Sequence, residues 1–148
     1  MEQIILREEN FSRLKELIKK NSEKEIIFCS NDDALNQKVL EKLNISVLLL
    51  NLGGRKDFAK QRNSGFNQVM ARLAKKNNIV LGINLDEIVL SNSNEKVQVL
   101  ARLRQNVEIC NRNKIEMKFV GQKVNRDSYD LKALGLVLKM PTWMTKKL

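Results

Sequence analysis

The chain reads as a parallel α/β protein, a (β/α) repeat in which helices surround one sheet. Three observations predict this. Short runs rich in Ile, Val and Leu alternate with amphipathic runs from one end of the chain to the other. Five strand–helix pairs follow in strict order, and strict alternation implies parallel strands joined by right-handed crossovers. The third run, SVLLLN at residues 46–51, is apolar on both faces, as a strand covered on both sides must be.

The elements follow in order. Residues 3–7 (QIILR) form a short strand. Asn10 caps a helix to Lys20 that turns Phe11, Leu14, Leu17 and Ile18 to one side. Residues 25–30 (EIIFCS) are the second strand. Asn31 or Asp32 caps the next helix, to Leu43, with Leu35, Val39, Leu40 and Leu43 inward. The third strand leads into the longest connection, residues 52–63. Ser64 then caps a helix to Lys76 whose apolar stripe is Phe66, Val69, Met70, Leu73 and Ala74. Residues 79–85 (IVLGINL) are the fourth strand. A long helix over 94–111 buries Leu100, Leu103, Val107 and Cys110. Residues 116–121 are the fifth strand, residues 130–138 the closing helix, and Pro141 ends it. The whole chain, 1–148, is read as a single domain. The pattern leaves two architectures open, a doubly wound sheet or part of a (β/α) barrel. Five units cannot close an eight-stranded barrel. A barrel-derived sheet would have open edges, which invite a cover or homo-association.

Charge points to the partner. Lys and Arg number 27 against 17 Asp and Glu, a formal net charge of +10. A field of that sign attracts polyanions, so nucleic acid is the expected ligand. The chain contains no histidine, which removes His-metal sites, Ser–His pairs and a His general base. No metal site or catalytic centre is expected. One Trp, one Tyr and five Phe leave few platforms for stacking on bases, so phosphate contacts are expected to dominate. Cys29 and Cys110 lack neighbours at metal-ligand spacing and read as small buried hydrophobes in a reducing cytoplasm. No run is long enough to span a bilayer, and no secretory leader is visible.

In a parallel sheet the working edge is the carboxyl end of the strands. Its richest stretch here is residues 53–65, GGRKDFAKQRNSG, where glycines precede cations and a helix start. Ser64 and Gly65 would supply N–H groups for a phosphate, and Arg62 a bidentate donor. Alternatively Arg62 pairs with Asp57 and fixes the loop. Asp86 and Glu87 either bind a hard cation or cap a short helix, and neighbouring side chains that point apart favour the second. Arg72, Lys75, Lys76, Arg102, Arg104, Arg112, Lys114, Lys118, Lys123 and Arg126 complete a dispersed basic surface. The expected RNA contacts are Arg55, Lys56, Lys60, Arg62, Ser64, Gly65, Lys75, Arg102, Arg104, Lys123 and Arg126.

The stretch DFAKQRNSGFNQVMARLAKKNNIVLGINL, residues 57–85, resembles the ribonuclease P protein component 3 family. That family shows a segment like D-F-x-H-Q-R-N-S-G-x-N before a helix and strand. Residues 100–119 (LARLRQNVEICNRNKIEMKF) and 130–140 (DLKALGLVLKM) are similar as well. Asp57, Arg62, Asn63, Ser64, Gly65 and Asn67 match the motif directly. Lys60 and Gln68 stand where histidine is expected, and the first βα part looks shortened. The resemblance implies an incomplete TIM-barrel-like sheet, similar to the metal-dependent PHP phosphoesterases but without their metals. It implies a subunit of RNase P that pairs with RNase P protein component 2 and other RNase P proteins. With them it would support the catalytic RNA that removes the 5′ leader of precursor tRNA. The functional cations would map onto Lys56, Arg62 and the basic residues beside the helices, Asp57, Asn63 and Asn67 would be structural, and Mg²⁺ would be held by the RNA. Two other classes compete, a stand-alone PHP-type hydrolase and a pure protein-interaction module.

Overall fold

The computed structural model describes residues 2–148. Its five strands are β1 (Gln3–Leu6), β2 (Glu25–Cys29), β3 (Val47–Leu50), β4 (Val80–Asn84) and β5 (Met117–Val120). After β1 and β2 come α1 (Phe11–Lys20) and α2 (Asp33–Lys42). After β3 comes α3 (Gln68–Lys76), after β4 a pair, α4 (Leu85–Leu90) and α5 (Ser93–Asn113), and after β5 another, α6 (Ser128–Val137) and α7 (Thr142–Thr145).

The strands lie side by side in chain order, β1-β2-β3-β4-β5, and every neighbouring pair is parallel. A doubly wound sheet reverses its strand order midway; this one does not. Right-handed crossovers in an unreversed sheet place the connecting helices on one face. That face carries the main core, in which Ile26, Phe28, Leu48, Leu50, Leu81, Ile83, Met117 and Phe119 meet Leu14, Val39, Met70, Leu103 and Cys110 from the helices.

The opposite face is also dry. Ile27, Cys29, Val47, Leu49 and Val120 form a second buried cluster drawn from strands alone, with Ile5 and Val80 against it. It is buried because the sheet curls on itself. Lys118 Nζ of β5 lies 3.0 Å from Glu25 Oε1 of β2, and Arg7, just past β1, donates to Gln122, just past β5, at 2.8 Å. These side chains meet across the concave side. Gly82 sits in the crowded middle of it, where a Cβ would stand 2.8 Å from Val47 Cγ1, so no side chain fits. Among the described residues no strand ladder joins β1 to β5. The sheet is an incomplete barrel, and strand order settles the choice that periodicity left open.

Helix starts follow one rule. Asn10, Asp32, Asn67, Asn84, Asn92 and Asp127 each accept a backbone N–H of the first turn, satisfying donors the helix leaves free. This corrects one expectation. Ser64 does not cap α3; Asn67 does, through Met70 N–H at 2.9 Å. Ser64 is buried and donates to Phe66 O at 3.2 Å, and Gly65 takes φ +72°, where no right-handed helix begins. Starting later, α3 turns Val69 outward at 53% exposure rather than into the stripe. The short α4 is the helix expected at Asp86 and Glu87, α7 was not expected as an element, and α6 begins two residues early because Asp127 caps it.

Both cysteines are buried and free. Burial raises both thiols, Cys110 to about 12, which keeps them protonated and unreactive at neutral pH. No described helix is long and apolar enough to cross a membrane.

Candidate nucleic-acid interface

The loop between β3 and α3 contains no regular structure over residues 51–67, yet it is held from inside by two arginines. Arg102 of α5 is 1% exposed. Its guanidinium donates to Leu52 O at 2.8 Å, to Arg55 O at 2.7 Å and to Asp57 Oδ1 at 3.2 Å. Arg55 in turn donates to Asn51 O at 2.7 Å and pairs with Asp33 of α2 at 2.9 Å. Its guanidinium lies over Gly65, where a Cβ would stand 2.5 Å from Nη2, so glycine is required for both the positive φ and the close approach. One helical turn beyond Arg102, Gln105 donates to Arg62 O at 3.0 Å and Ser64 Oγ at 3.1 Å, and Asn106 to Ser64 O at 3.1 Å. Residues 102, 105 and 106 share one side of α5 by their spacing and form a polar seam under the loop.

Asp57 organises the loop's tip. It accepts from Asn63 N–H at 2.9 Å and from Arg102. The Asn63 amide first, and then the Arg102 guanidinium, hold its carboxyl below the ordinary carboxylate value against partial desolvation. Asn63 returns a bond to Lys56 O and accepts from Gly65 N–H.

The structure therefore divides the expected RNA contacts. Arg102, Ser64 and Gly65 are buried, so they cannot reach a phosphate; their role is to build the loop. Arg55 is largely spent on Asp33 and the Asn51 carbonyl, its side chain 9% exposed. Lys118 is engaged with Glu25. The alternative pairing of Arg62 with Asp57 is not formed, because Asp57 takes Arg102. Lys56, Lys60 and Arg62 are exposed on the loop, and Lys123 and Arg126 on the loop after β5, also at the carboxyl end of the sheet. Lys75 lies at the opposite end, donating to Lys114 O at 3.0 Å. Arg104 is exposed on α5 and reaches Val137 O of α6 at 3.4 Å. Five ion pairs among the described residues engage Lys24, Arg55, Arg102, Lys118 and Lys147, five of 27 cations, and the net field is that of a +10 charge.

Asp86 and Glu87 point apart. Asp86 accepts from Gln122, Lys123 and Val124 N–H groups, and Glu87 from Leu52 and Gly53 N–H groups. They tie the carboxyl-end loops to α4. Desolvation works to raise Asp86, but the amides of Val124, Gln122 and Lys123 outweigh it and leave its carboxyl below the ordinary 3.8. A carboxyl depressed by folding adds stability that is complete above its unfolded pKa and is lost as pH falls through the folded value. Asp86→Asn should therefore lower the urea midpoint at pH 7 and lose its disadvantage as pH falls below about 4. A difference that persists unchanged at pH 2 would show that the carboxylate charge is not what holds this loop.

Arg7 and Gln105 were missed by sequence reasoning. The signal for Arg7 was its place as the last residue of the expected first strand, on the working edge. The signal for Gln105 was its spacing from Arg102. Beside the loop lies a hollow of about 380 Å³, lined by Asp33, Gln37, Phe58, Arg62, Asn67 and Gln105 among others.

No protein-family model matches the chain. It is 33% identical over 109 residues to ribonuclease P protein component 3 of Methanosarcina acetivorans, covering 72% of this chain and 43% of that protein. It is 27% identical over 132 residues to the protein of the same description from Methanosarcina mazei, covering 88% of this chain and 52% of the relative. The chain thus spans about half the length of the curated relatives it matches. Among solved structures, a chain of an archaeal ribonuclease P determined with mature tRNA superposes with a TM-score of 0.81 over 97% of this chain and 62% of that one. Their identity is 21%, so this second likeness is one of fold. Identity at one residue in three across 72% of the chain settles descent, and the chain belongs to the ribonuclease P protein component 3 family.

Proposed function

We propose that this chain serves as an RNA-binding subunit of ribonuclease P, the ribonucleoprotein that removes the 5′ leader of precursor tRNA. The observation that carries the reading is the β3–α3 loop. Buried Arg102 and Arg55 fix its backbone, and Lys56, Lys60 and Arg62 stand outward on it. A preset row of cations neutralises phosphates without first having to order itself. Lys123 and Arg126, at the same end of the sheet, extend the surface. In this reading the RNA holds Mg²⁺ and breaks the bond, and the protein stabilises the RNA fold and its grip on the precursor.

A protein partner belongs to the same reading. Tyr129, Leu136 and Val137 of α6 are 86%, 67% and 59% exposed. At spacings of seven and eight residues they share a side of the helix, and apolar stripes of this kind suit protein contacts. Protein component 2 is the partner proposed for it. The unpaired edges of β1 and β5 offer a route to a second copy.

The stand-alone hydrolase is disfavoured by chemistry present in the chain. No histidine is available, and Asp86 and Glu87 are occupied by backbone amides. Reconstitution tests the proposal. Cleavage of precursor tRNA by RNase P RNA with component 2 should rise at low Mg²⁺ when this chain is added. No stimulation would count against a subunit role.

A further inference from the structure

Phe58 has no place in the core. It is 58% exposed, at the tip of a loop that is otherwise tied down on both sides. Its own N–H donates to Gln61 O at 2.9 Å, and Asp57 before it is held by Asn63 and Arg102. The ring is therefore presented to solvent by a formed turn rather than by a loose segment. Leaving an aromatic ring in water forgoes the stabilisation its burial would bring, so a ring held this way invites a ligand that covers it.

The surroundings specify the ligand's chemistry. The hollow that Phe58 lines, about 380 Å³, is of ligand-site size. Its wall is mixed: Asp33, Gln37, Gln61, Asn67 and Gln105 supply acceptors and donors, Ala34, Phe66 and Met70 add apolar atoms beside Phe58, and Arg62 also lines it. A purely apolar side chain would cover the apolar atoms but leave those donors and acceptors without partners. A nucleobase needs what this hollow offers: a ring to stack on, amide and carboxylate groups for its edge, and cations for the adjoining phosphates.

We propose that this hollow is a subsite for one unstacked nucleobase of RNA, with Phe58 as its stacking face and Arg62 and Lys60 on the flanking phosphates. The inference rests on the RNA-binding reading above and goes beyond it. It revises the expectation that few platforms are left for stacking on bases and phosphate contacts dominate, and it makes the loop selective for single-stranded or bulged RNA. A base inside a duplex is stacked on both faces and cannot enter.

The test uses the full chain and two probes, a short oligoadenylate carrying a central 2-aminopurine and a blunt RNA duplex of equal length. Phe58→Ala should weaken binding of the single strand about tenfold, the size of one base–aromatic stack. The salt dependence should not flatten, because no phosphate contact is removed. Duplex binding should stay unchanged. Phe58→Trp should retain single-strand affinity, and 2-aminopurine emission should change on binding to the wild type but not to Phe58→Ala. Because the ring is exposed, the variant's unfolding midpoint serves as a control for folding. Equal single-strand affinity in wild type and Phe58→Ala, with Lys60→Ala and Arg62→Ala still weakening it, would remove the base subsite and leave the RNA-binding reading standing. Failure of the wild type to bind either RNA would overturn both. Loss of component 2 binding in Phe58→Ala, with RNA affinity intact, would reassign the hollow to a protein contact.

Discussion

Arg102→Met is expected to destabilise the protein by about 3 kcal/mol. Methionine nearly matches the volume of the arginine stem, so no large cavity opens. What it removes is donors. Leu52 O and Arg55 O take their hydrogen bonds from the Arg102 guanidinium at 2.8 and 2.7 Å. An acceptor left unpaired in the interior costs about 1–3 kcal/mol. Replacing a buried ion pair by apolar groups is often harmless, but that applies when both partners leave. Here the acceptors are main-chain carbonyls that no substitution deletes. Arg102→Lys rescues only in part, since one ammonium cannot span three acceptors in the fork geometry of a guanidinium. Urea unfolding measures the loss. Hydrogen exchange should localise the first opening to residues 52–64, and RNA affinity should fall with it because the loop is no longer preset. A change within about 0.5 kcal/mol would mean that the loop needs no internal support.

The triple change Lys56→Ala, Lys60→Ala and Arg62→Ala should leave stability alone and reduce RNA binding sharply. None of the three side chains has a hydrogen-bond or ion-pair partner among the described residues; Lys56 and Arg62 engage the fold only through their carbonyls. Each phosphate contact contributes about 0.9 to the slope of log affinity against log salt on a duplex, and about 0.7 on a single strand. Loss of three contacts should therefore lower the slope by about 2–3. Between about 50 and 200 mM salt the variant should lose roughly 20- to 40-fold less affinity than the wild type does, the lower figure for a single strand. Lys75→Ala should move neither quantity much, since Lys75 lies at the other end of the sheet. Unchanged affinity and slope in the triple variant would take this loop out of the RNA-binding surface.

Much of this was legible in order along the chain. Strand and helix alternation, the main apolar stripes and the caps Asn10 and Asp32 depend on residues within a few positions of each other, and period and propensity report them directly. The cation-rich loop was legible for the same reason. Ser64 was misread because Ser64 and Asn67 are both good caps. The decision between them rests on Gly65 at φ +72° and on α5 residues some forty positions away that hold Ser64 inward.

The side on which Arg102 falls shows the boundary most plainly. Periodicity treats an arginine between Val99 and Leu103 as a solvent-facing charge, and for most helices that is right. Its inward turn depends on carbonyls at residues 52 and 55, which approach only after the β3–α3 loop has folded over α5. The curl of the sheet is of the same kind. Local pattern predicts five parallel strands but carries no information on which strand lies beside which. Side-by-side pairing in chain order, the fit of Val47 against Gly82 and the contact of Lys118 with Glu25 across the concave side arise from atoms far apart in sequence. Near-neighbour chemistry was enough to name the elements and locate the charge. Which charges face RNA and which brace the loop was decided by long-range packing, because burying a guanidinium is tolerable only where distant acceptors already wait for it.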